Sequence, residues 1–248
     1  MSTAVSSTPR VVAPRTRAIR PFYGAMSALI ALAVVYGFAQ TIDKNLLHPA
    51  VPRPLALYLH ASCAFAWVAF FGVQTALVAR RDVRQHRRLG WVGVGIGAAT
   101  LIGGLVTTVV MGRFNVAQGR PAEQAAAFLA IPLNDMLAFG SALALAIVWR
   151  RRPAYHRRLM LLATCALTAA AFVRFPFVWA HVPLALRWYG GVDLLVALAL
   201  VHDVVVERAI HPVHRVGVPL LLLGQSLAMV IFIQRPAAWI GWATTIVQ

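Results

Sequence analysis

Seven times along the chain an apolar run reaches the roughly 20 residues that a helix needs to cross bilayer hydrocarbon. The runs begin near Phe22, Leu55, Leu89, Ala125, Leu159, Leu186 and Val216, and end near Thr41, Ala79, Met111, Trp149, Ala180, Val205 and Gln234. They predict an all-α bundle of about seven transmembrane helices over residues 22–235, with no soluble domain. A basic tail, 1–21, precedes the bundle, and a short outer interfacial segment, 236–248, follows it, with Trp239 and Trp242 behind Pro236. The first run lies behind a Ser/Thr-rich basic tail, as a secretory leader does. Its length and the lack of a small-x-small cleavage pattern predict a helix that is retained.

Composition agrees with the pattern. Of 248 residues, 60% are hydrophobic and 12% charged, whereas a soluble domain is nearer one quarter charged. A net charge of +16 would suggest nucleic acid in a soluble protein. Here the basic residues sit in short blocks between apolar runs, with no aromatic-interleaved basic surface, so no nucleic-acid partner is expected. The tail, the two even-to-odd loops after the second and fourth spans, and the loop after the sixth hold 16 of the 23 basic residues. All four lie on one side of a seven-span arrangement. The positive-inside rule places that side, and the N-terminus, in the cytoplasm, with the C-terminus outside. Lys44 is the only lysine, which excludes a retinal Schiff base in a late helix. Cys63 and Cys165 fall at different depths and are not expected to bridge.

An internal repeat marks three inner junctions. His86-Arg87-Arg88-Leu89-Gly90 opens the third span, His156-Arg157-Arg158-Leu159-Met160 opens the fifth, and a looser His214-Arg215-Val216-Gly217 opens the seventh. The chain reads as one leading helix followed by three helical hairpins. In membrane proteins built from repeats, the working site often lies where the repeats meet.

Ionisable groups inside a span are candidates for function, because unpaired charge there is costly. Asp135, with Asn134 and Pro132, lies within the fourth span, Arg174 with Pro176 in the outer half of the fifth, Asp193 in the outer half of the sixth, and His60 early in the second. Matched in depth, His60, Asn134, Asp135, Arg174 and Asp193 can line one outward-facing pocket for a small ligand or ion. The structural alternative pairs Arg174 with Asp193 or Asp135 to hold helices together. The histidines offer a second constellation: imidazoles on neighbouring helices at equal depth can clamp haem iron, and His86 and His156 occupy equivalent repeat positions, with His60 and His181 towards the outer side. Asp203 and Glu207 are expected to pair with arginines of the inner loops in an interfacial network. Glycines crowd the third span, Gly93 and Gly97 forming a small-xxx-small face. There is no Cys-x-x-Cys-His, His-Glu-x-x-His, Gly-x-Ser-x-Gly or phosphate-cradling loop, so neither covalent haem nor hydrolytic chemistry is indicated.

Taken together, His60 with Trp67 and Gln74, the two His-Arg-Arg-Leu junctions, Arg174 with Pro176, Asp193, Asp203 and His211-Pro212 resemble a group of bacterial multi-pass membrane proteins of unknown function. The resemblance covers roughly residues 55–215. It implies a helical bundle in a bacterial inner membrane and brings no activity with it. A looser likeness to cytochrome-b-type bundles rests on histidines near helix ends. Binding or transport of a small ligand or ion is the leading expectation. A haem-bearing electron carrier and a non-catalytic assembly scaffold are the alternatives.

Overall fold

The computed structural model describes residues 15–176 and 182–248, and for residues 15–20 the backbone alone. It is helical throughout, with no strand among the described residues. Helix α1 covers Arg15–Ala39, α2 Leu55–Ala79, α3 Val83–Ala117, α4 Ala122–Phe128 and α5 Ala130–Val148. Then follow α6 Pro153–Ala166, α7 Ala169–Phe172, α8 Leu184–His202, α9 Pro212–Gln234 and α10 Ala237–Val247. Six segments are long and apolar enough to span a membrane: Pro21–Ala39, Leu55–Ala79, Val83–Ala117, Ala122–Val148, Leu184–Glu207 and Pro212–Gln234. The protein is therefore an integral, multi-pass helical membrane protein. Its outer surface agrees: Leu32, Leu55, Trp91, Leu137 and Leu223 are each at least 65% exposed.

The fifth predicted span is the one that is not among these six. It is not one helix: α6 and α7 are separated at Leu167–Thr168, where the Thr168 hydroxyl donates to the Cys165 carbonyl at 2.6 Å. Such a side-chain bond competes with the helical ladder. Helix α7 ends at Phe172, four residues before Pro176, whose ring has no N–H to continue the ladder. This segment still crosses the bundle. Arg158 at its start lies beside Asp203 at the end of α8, and Arg174 near its other end lies beside Thr41 beyond α1. Irregular backbone at membrane depth survives where protein rather than lipid surrounds it. Leu161, Ala163, Thr164 and Cys165 are fully buried, so the broken segment is the innermost one.

A second break falls at Leu129, between α4 and α5, four residues before Leu133 and three before Pro132. Pro132 cannot donate to the Phe128 carbonyl, and the Leu129 N–H is shared between Ala125 and Ala126 at 3.3 Å each. Both interruptions lie in the segments that carry the candidate polar residues.

Three glycines of α3 seat side chains of neighbouring helices, while Gly90 and Gly95 face open space. Gly93 accommodates the Phe70 ring, Gly97 accommodates Trp67 and Leu143, and Gly104 accommodates Met136 and His60. They let α2 and α5 approach α3 closely, and Trp67 completes the seam, its indole N–H donating to Thr164 at 3.2 Å and its ring meeting Phe139 edge-on at 5.1 Å. Helix α10 folds back along the bundle: Trp239 donates to the Ala126 carbonyl at 3.0 Å, and Arg113 to that of Ile246 at 2.8 Å. Both cysteines are free thiols.

Candidate functional site

Two polar clusters lie at different depths of the bundle, one at the end of α8 and one about halfway along it. The first begins with Asp203, which opens a π-helical turn, Asp203–Glu207, at the end of α8. The wider turn holds Asp203 and Glu207 so that both reach the start of α6. Arg158 donates from Nε to both Asp203 oxygens at 3.0 and 3.1 Å, and its terminal nitrogen reaches Asp203 at 2.5 Å and Glu207 at 2.7 Å. Its remaining nitrogen donates to the Ala154 carbonyl at 2.9 Å. Arg157 adds a 2.7 Å bond to Glu207. From the start of α9, His214 Nδ1 meets Asp203 at 2.7 Å, and the His211 backbone N–H donates to the same carboxylate at 3.2 Å. Arg158, Asp203 and His214 are all but inaccessible, at 0, 1 and 1% exposure.

The charges in this cluster balance: Arg157 and Arg158 face Asp203 and Glu207. His211, just outside the membrane segments, is held neutral. Burial, and then the Arg158 charge, push its imidazole below the usual histidine range. Its Nδ1 accepts the Val213 N–H at 3.2 Å and caps α9. A neutral ring is required for that bond. The pairing of Asp203 and Glu207 with arginines agrees with the sequence expectation, although the centre of the network is buried rather than interfacial, and Arg208 has no part in it.

The second cluster lies about halfway along α8. Asp135 on α5 accepts the Tyr189 hydroxyl of α8 at 3.1 Å and the Asn134 amide at 3.4 Å, and that amide is also 3.4 Å from the tyrosine oxygen. Gly224 of α9 closes the third side, its Cα against the Asn134 amide oxygen. One turn beyond Tyr189 along α8, Asp193 shares a groove of about 200 Å³ with Gln225, Ser226 and the tyrosine ring, walled by Leu186, Leu222 and Met229. Asp193 Oδ1 and Gln225 Nε2 are buried without a hydrogen-bond partner. Among the described residues, neither Asp135 nor Asp193 has a basic nitrogen within 4.0 Å.

Of the residues singled out from sequence, Asn134 and Asp135 touch, and Tyr189 links them to Asp193. Arg174 is elsewhere: it donates to the Thr41 hydroxyl at 3.0 Å and to the Ala170 carbonyl, and lies 4.5 Å from the Phe38 ring centre. It pairs with neither aspartate, because its side chain follows α1. His60 packs on Gly103 and Gly104 of α3, with Nδ1 buried and unpartnered. Met136 rather than Asp135 is its neighbour across Gly104. His86 and His156 are close together, ring centres 6.2 Å apart, and His60 is with neither. His181 lies outside the described residues. Tyr189 and the partnerless Gln225 are the members of the second cluster that sequence reasoning did not assign to it. The signal for Tyr189 was its place four residues before Asp193, on the same helix face.

Comparison with family models, curated proteins and solved structures found no match to this chain. The reading of the site rests on its own chemistry.

Proposed function

We propose that the protein binds, and in binding moves, a small cationic ligand or ion at the Asp135–Tyr189–Asp193 cluster. The observation that carries this reading is the charge imbalance. Two intramembrane carboxylates lie close to one tyrosine, Asp135 accepting its hydroxyl and Asp193 sharing the groove that Tyr189 lines, and no basic side chain among the described residues answers them. A carboxylate at bilayer depth costs roughly 2.5–3.5 kcal/mol on insertion scales. A metal cation, a protonated amine or a proton from outside the chain would relieve that cost.

The surroundings suit such a ligand. Gln225 and Ser226 line the groove beside Asp193, where the apolar walls favour a ligand with an organic body. The arginine distribution supports placing the start of α8 outside the cytoplasm, so that the groove receives its ligand from there. The resemblance to bacterial multi-pass proteins supports an inner-membrane setting.

Calorimetric titration of the purified protein with sodium, potassium and a series of primary and quaternary amines tests the reading. At least one should bind to the wild type and bind more than tenfold more weakly, about 1.4 kcal/mol, to Asp135→Asn and to Asp193→Asn. If none of these cations binds in a way that depends on Asp135, the proposal fails.

A further inference from the structure

We propose that His86 and His156 together ligate one transition-metal centre at the basic end of the bundle. This site is separate from the Asp135 cluster and does not depend on it. The two imidazoles come from equivalent positions of the repeat, at the starts of α3 and α6, and meet with ring centres 6.2 Å apart and planes at 76°. A metal–imidazole bond is about 2.0–2.1 Å, which puts the centres of two rings on one metal roughly 5–6.5 Å apart. The observed separation falls in that range, and two such rings need not be coplanar.

The second observation concerns the outer ring nitrogens. His156 Nδ1 lies 2.9 Å from the Ala146 carbonyl at the end of α5. A carbonyl accepts only, so Nδ1 carries the proton and Nε2 is left with its lone pair. This is the orienting bond that metal-ligating histidines usually make to a carbonyl or carboxylate. His86 Nδ1 is buried and has no partner, which leaves its donor capacity unspent. Both side chains are half-buried, leaving room for water or a further ligand to complete the coordination. Among the described residues no third histidine, cysteine or carboxylate joins them. The chemistry is therefore that of a bis-imidazole centre, which suits copper, nickel, zinc or iron.

Position suggests what the metal does. Helix α3 packs on α2 and α5, whereas α6 packs on α5, α8 and α9. A shared metal would staple the first hairpin to the second at the junctions that carry the repeat. The iron of haem offers the same bis-imidazole chemistry.

The test uses tag-free, full-length protein. Its visible absorption spectrum after expression with ample haem reports haem iron. Addition of one equivalent of Cu²⁺ to metal-stripped protein, read by electron paramagnetic resonance, reports a free ion. The expected result is either a haem spectrum or a one-to-one copper signal split by two nitrogens, lost in both His86→Gln and His156→Gln. The affinity for copper should fall by more than about tenfold in each, the least that disturbing a metal's supports costs. His48→Asn, at an exposed histidine that pairs with Asp43, should leave the signal unchanged. Circular dichroism and elution volume establish that the variants are folded. Folded variants that keep the wild-type signal would overturn the proposal, as would a wild type that shows neither haem nor stoichiometric copper.

Discussion

The two polar clusters solve the same problem in opposite ways. Each places acidic side chains inside an apolar bundle, Asp203 and Glu207 in the turn that ends α8 and Asp193 halfway along that helix, with Asp135 of α5 on the neighbouring Tyr189. At the first cluster the charge is answered within the chain by Arg157, Arg158 and the His214 ring. At the second it is met by a hydroxyl and an amide, which supply hydrogen bonds without charge. A closed, neutral network holds helices together. An open one leaves a place for something from outside. The difference separates a structural site from a working one where residue type alone does not.

The largest effect should come from opening the closed cluster. Asp203→Asn leaves Arg158 buried with half its partners, and removing one member of a buried ion pair typically costs about 3–5 kcal/mol. Unfolding in mixed detergent should show a loss of that order. Arg158→Met combined with Asp203→Leu should recover most of it, because two apolar residues leave no orphaned charge. If the double variant is no more stable than the single one, the network has a role beyond charge balance.

Asp135→Asn should do the reverse. The substitution removes charge from a site with no internal counter-charge, so stability should hold or rise while cation binding is lost. A stability loss comparable to that of Asp203→Asn would break the comparison. Tyr189→Phe is the finer probe. It removes one hydrogen bond worth about 1 kcal/mol and frees the link between Asp135 and Asp193. Ligand affinity should weaken several-fold with little change in unfolding.

The smallest effect concerns pH at the closed end. Burial depresses the His211 imidazole in the folded protein, so the unfolded chain binds the proton more readily. That contribution to stability is complete above the ordinary histidine value of about 6.5 and is lost as pH falls from there through the lower folded value. Asparagine also caps helix N-termini. His211→Asn should therefore flatten this acid slope while keeping the cap, as thermal unfolding across a pH series would show.

Depth was legible in the sequence, and azimuth was not. Counting along apolar runs located the spans and put His60, Arg174 and Asp193 at similar depth, with Asp135 somewhat deeper. Which face each occupied depended on packing. Arg174 turns to Thr41 and Phe38, away from both aspartates. The break at Thr168 was hidden because Leu159–Ala180 is as apolar as any other run, although Pro176 marked the end of α7. Tyr189 carries no charge and so did not stand out among intramembrane polar groups, yet it joins the two carboxylates. The burial of Arg158 depended on the π-helical turn at Asp203, which no residue pattern announces. The glycine face of α3 was visible, but its partners proved to be Phe70, Trp67 and Met136 of the same chain.

The comparison stands or falls on whether the open cluster works and the closed one only supports. Proteoliposomes with an imposed gradient of whichever cation binds measure this as flux of that cation per folded molecule. The account predicts that Asp135→Asn abolishes the flux at an undiminished folded fraction. It also predicts that Asp203→Asn lowers the folded fraction and leaves the flux per folded molecule close to wild type. Full flux in Asp135→Asn, or its selective loss in folded Asp203→Asn, would contradict it.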